Sequence, residues 1–115
     1  MKDSIKTPVH RTDDGELMGY IQEVDDLWQA QTIFGYPFLA AATQDDATNI
    51  VLDKGLAILM DTWEYHDQAS GEWERCIIIE AAKDSVTVAP MDGLLPDTVH
   101  THTLTGPFEN KLRKA

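Results

Sequence analysis

The segment Thr43–Trp63, TQDDATNIVLDKGLAILMDTW, decides how this chain folds. Thr43 followed three positions later by Asp46 resembles a capping box, with Asp in place of the preferred Glu or Gln. Asp45 and Asp46 suit the positive N-terminal end of a helix. At about 100° per residue, Ala47, Val51, Leu52, Leu56, Ile58, Leu59 and Trp63 fall on one half of the helical wheel, and Asn49, Asp53, Lys54 and Asp61 on the other. Ile50, Ala57 and Met60 broaden the apolar face. Gly55 lies inside the apolar arc, where it either lets the helix approach a sheet closely or marks an end just after Lys54. Because Leu56, Leu59 and Trp63 continue the same stripe, the pattern predicts one helix running to about Asp61.

Strand signals lie on both sides. Upstream, Asp13-Asp14-Gly15 is a turn joining a short strand near Val9–Thr12 to ELMGYIQEV (16–24), and Asp25-Asp26 turns into LWQAQTIFG (27–35). Gly19 in mid-strand predicts a bulge or a close approach by another element. Gly35-Tyr36-Pro37 breaks the run, and FLAAA is a short strand or a connector. Downstream, Thr62–His66 and GEWERCIIIEAA (71–82) read as a hairpin, followed by VTVAP (86–90), a loop over 91–97 and a last strand Thr98–Thr105. The expected fold is α+β: a mainly antiparallel sheet of about six to seven strands, with one principal helix packed on one face. Residues 9–106 are expected as a single domain, 1–8 as a flexible N-terminal tail and 107–115 as a C-terminal tail.

Composition narrows the function classes. Of the 115 residues, 43% are hydrophobic and 25% charged, a globular balance that needs no staple to form a core. No stretch approaches the ~18 apolar residues of a membrane span. No secretory signal is visible at the N-terminus, and the single Cys76 cannot form an intrachain disulfide, so a cytoplasmic location is expected. The net charge of −11 is uneven: residues 13–97 hold 18 acidic and 3 basic side chains, while each terminus is slightly basic. Such a chain repels phosphate, so neither nucleic acid nor membrane is an expected partner, whereas a basic protein is.

Chemistry concentrates in few places. TVHTHTLTG (98–106) sets His100 and His102 two apart, on one face of an extended strand, a spacing that two zinc ligands use. No Glu-x-x-His or Cys-x-x-Cys accompanies them, and solvated strand histidines fit the pattern equally well. Cys76 reads as a buried inert thiol, and Ser4, Ser70 and Ser85 lack a nucleophile-elbow context. Asp13, Asp14 and Glu16, or Glu23, Asp25 and Asp26, do not follow EF-hand spacing. The glycines form no phosphate loop. Trp28, Tyr36, Trp63, Tyr65 and Trp73 suit core packing or a concave binding surface, and Tyr36-Pro37-Phe38, at a strand break, is the expected exposed aromatic patch and partner-binding candidate.

The combination DGELMGYI, TIFGYPF, GLAILMDTW and WERCIII resembles small acidic bacterial proteins of uncharacterised function, over most of residues 11–90. Those motifs are structural, so the resemblance implies a compact bacterial domain and no activity or site. The expected role is a non-catalytic protein-interaction domain without cofactor. The alternative is a metal- or small-molecule-dependent enzyme using the His100/His102 pair. Self-association through a sheet edge, giving a homodimer, is a further expectation.

Overall fold

The computed structural model describes residues 5–115, so the first half of the expected N-terminal tail, residues 1–4, lies outside the described residues. The strands are β1 (Thr7–His10), β2 (Leu17–Val24), β3 (Leu27–Gln31), β4 (Pro37–Ala41), β5 (Trp63–His66), β6 (Trp73–Ala81), β7 (Ser85–Asp92), β8 (Leu95–Pro96), β9 (His102–Thr105) and β10 (Leu112–Lys114). One α-helix, α1 (Gln44–Lys54), follows β4, and a single 3-10 turn covers Ala57–Met60. The architecture is antiparallel sheet with one helix, hence α+β. The expected single sheet of six to seven strands is corrected to ten strands in two sheets among the described residues. The additions are short segments, 37–41, 95–96 and 112–114, in which alternation has too few residues to register. The chain divides into two compact units between Ile58 and Leu59.

The first unit is a meander, β1-β2-β3-β4, antiparallel throughout. Asp25 and Asp26, at φ 51° and 67°, make the two-residue turn between β2 and β3, a pairing of left-handed residues that matches the twist of a hairpin. Helix α1 covers one face of this sheet, and Ala47 and Val51 join Val9, Met18, Ile21 and Ala30 in its core. The slip in register between β1 and β2 sets Val9 against Gly19 and His10 against Leu17, so β2 bulges at Met18. A Cβ on Gly19 would run into the Gln31 carbonyl and the Val51 side chain. Gly19 is therefore both beside the bulge and a point of close approach between sheet and helix.

The helix begins as its sequence predicts: the Thr43 hydroxyl accepts from the Asp46 amide at 3.2 Å. Its end differs from the expected extension to Asp61. The last helical residue is Lys54, and Gly55, at φ −58° and ψ −39°, sits with its N–H on the Val51 carbonyl at 2.8 Å. A Cβ at Gly55 would meet the Met18 carbonyl at 2.5 Å, so this glycine serves close approach and not a left-handed cap. The apolar stripe past Gly55 passes into the 3-10 turn and then β5, where Trp63 is fully buried.

The second unit has the strand order β10-β5-β6-β7-β8, with β9 also on β7. β9 takes the Ser85–Val88 stretch and β8 the Met91–Asp92 stretch of the same β7 edge. Trp63 opposes Cys76, Leu112 opposes Tyr65, and Val86 opposes Leu104, which gathers the apolar side chains on one face. In a flat sheet β5 and β9, three spacings apart, would stand about 14 Å from each other. The Tyr65 and His102 rings instead stack at 5.1 Å, so the sheet curls over that face. Residues 107–115, expected as a tail, contain β10, whose Arg113 and Lys114 reach Glu64 at 2.8 Å and Asp61 at 3.4 Å.

Candidate functional site

The histidine pair depends on an extended backbone through both residues, and the chain bends instead. Residues 98–100 turn, and β9 begins at His102. Asp97 organises the bend: one carboxylate oxygen accepts the amides of Val99 and His100, each at 3.1 Å, and the other meets His100 Nδ1 at 3.0 Å. These hydrogen bonds, that of the His100 amide first, hold the Asp97 carboxyl below the usual carboxylate range. His102 turns away to stack on Tyr65. The two imidazoles thus serve different partners. Among the described residues, no group of three or more His, Cys, Asp or Glu side chains is placed to hold a metal ion.

The other chemical candidates resolve into structure. Cys76 is buried in β6, where burial pushes its thiol up to about 12, far from thiolate at neutral pH. Arg11 pairs with Asp14 at 2.6 Å and Glu16 at 2.9 Å, closing the turn between β1 and β2 with exposed charges. The Arg113 guanidinium lies 4.1 Å from the Trp73 ring, whose edge also meets His66 at 5.4 Å between centroids. That assembly packs β10 onto β5 and β6.

The surface with the clearest capacity for binding is β4. It is the outer strand of the first sheet, with β3 on its inner side. A register slip opposite Ala30 and Gln31 places an extra β4 residue there, and Phe38 packs half-buried against the core. Tyr36, also half-buried, closes the preceding turn, its carbonyl accepting the Thr32 amide at 2.9 Å and its amide donating to the Thr32 hydroxyl at 3.1 Å. Of the expected Tyr36-Pro37-Phe38 patch, Pro37 is the exposed member, and exposure continues to Leu39, at 43%, and Ala40.

The sequence carries a trace of this surface that a search for reactive side chains passes over. Residues 27–44 contain no charged side chain, in a chain that is a quarter charged overall. Edge strands usually carry a lysine or an inward-pointing charge that discourages pairing, and here only Pro37, at the first position, acts in that way. The end of β4 is different. Trp28 opposes Ala41, so the Asp25-Asp26 turn lies at the end of the sheet where β4 finishes and where Asp45 and Asp46 open α1. All four carboxylates are exposed. No family model matches this chain, and no curated protein or solved structure does either.

Proposed function

We propose that this protein is a non-catalytic interaction domain that binds another protein by accepting an extended segment of it along β4. The observation that carries this reading is the outer edge of β4, five residues without charge whose exposed members are Pro37, Leu39 and Ala40. The N–H and C=O groups on such an edge form a template for one more strand, and backbone hydrogen bonds supply affinity without reactive chemistry. The net charge of −11 favours a basic partner and speeds its approach.

Selection of peptides from a random library on the immobilised full chain tests the reading. Peptides retained by the wild type are expected to lose about tenfold or more in affinity for the Leu39→Lys/Ala40→Lys variant, because charges on an edge oppose strand addition. Peptides that bind both proteins equally well would remove β4 from the account.

A further inference from the structure

Resting on that reading, the geometry points to a polarity for the bound segment: we infer that it runs antiparallel to β4 and carries lysine or arginine just before its strand-forming residues. β4 runs from Pro37 to Ala41, and the carboxylates Asp25, Asp26, Asp45 and Asp46 stand at its Ala41 end. Its Pro37 end follows the uncharged stretch from Gln29 to Tyr36. The edge therefore has an apolar middle, an end with the Lys6 ammonium beside Gly35, and an acidic end. Every pairing in this sheet is antiparallel, and the antiparallel ladder is the slightly more stable one per residue. A segment laid antiparallel on β4 has its own N-terminal side at Ala41. Basic residues preceding the strand then face four exposed carboxylates, and alternate apolar residues fall beside Leu39 and the neighbouring alanines.

The net charge argues against a second copy as the occupant. Antiparallel β4–β4 pairing would bring the acidic end of each chain to the Lys6 end of the other, but it would also join two chains of net charge −11 each. The other edge of the sheet, β1, is four residues long and holds Thr7, Pro8, Val9 and His10.

Two synthetic peptides test the polarity, both with one alternating valine–threonine strand and differing in whether three lysines precede or follow it. Binding to the full chain is followed by backbone amide shifts at residues 37–41 and by fluorescence anisotropy. The peptide with leading lysines is expected to bind about tenfold tighter, the sum of several exposed ion pairs. The preference should vanish in about 0.5 M NaCl and in the Asp25→Asn/Asp26→Asn/Asp45→Asn/Asp46→Asn variant. Equal affinities, or tighter binding of the peptide with trailing lysines, with β4 shifts in either case, would overturn the polarity and leave strand addition standing. Absence of β4 shifts with both peptides would overturn strand addition as well. A dimer in sedimentation that Leu39→Lys dissociates would assign the edge to a second copy and overturn the inference.

Discussion

Single residues set limits that their neighbours cannot relax. Gly19 is the clearest case, because a methyl group there meets a backbone carbonyl of β3, which cannot move without breaking the sheet. Gly19→Ala is expected to destabilise the protein by about 3 kcal/mol in urea unfolding, at the upper end of ordinary overpacking. Gly15→Ala is a useful contrast: its φ of +71° strains alanine, but a Cβ there meets nothing within 4 Å, so a loss of about 1 kcal/mol is expected. Arg11 holds the Asp14 carboxyl down to about 2, chiefly by their hydrogen bond. A depressed carboxylate stabilises the fold above its unfolded value, near 3.8, and that contribution fades as pH falls from there through about 2. Titration by NMR should find this low value in the wild type and a return toward 3.8 in Arg11→Gln.

Among the elements, α1 and β4 show how far local pattern reaches. The start of α1 is written in Thr43 and Asp46 and is formed as written. Thr43→Ala is expected to cost about 1 kcal/mol, read from the urea midpoint, with recovery in Thr43→Ser. The end of α1 is not written in the same way, since the apolar stripe runs on through Leu56 and Leu59. The helix ends where Gly55 packs close to the Met18 carbonyl, on a strand some forty residues earlier in the chain. β4 carries the complementary lesson. Its residues allow strand or connector, and pairing with β3 decides for strand. Leu39→Lys should shift stability by less than about 0.5 kcal/mol, because the side chain is exposed, while it disrupts binding along the edge. A large loss of stability would show instead that Leu39 belongs to the packing of the sheet.

For the chain as a whole, charge is the dominant property. With −11 spread over exposed positions of both units, self-repulsion opposes the folded state. Raising ionic strength from about 0.01 M to about 0.1 M shortens the screening length from about 30 Å to about 10 Å. The urea midpoint is expected to rise over that range, and a fall would mean that ion pairs such as Arg113–Glu64 outweigh the repulsion. The same screening should weaken capture of a basic partner, so stability and binding are expected to respond to salt in opposite directions.

Patterning along the chain determined the class of fold, the hairpin turns at Asp13-Asp14-Gly15 and Asp25-Asp26, the start of the helix and the special position of Gly19, because each depends on residues close in sequence. Contacts between distant segments decided the rest. The two sheets, the helix end at Gly55, the β10 strand held by Glu64 and Asp61, and the separate partners of His100 and His102 all require backbone or side chains that meet only after folding. The candidate surface is shared between these levels. Its lack of charge is visible in residues 27–44, but its place at an edge, with carboxylates gathered at one end, comes from strand register, and register is fixed by packing across the sheet.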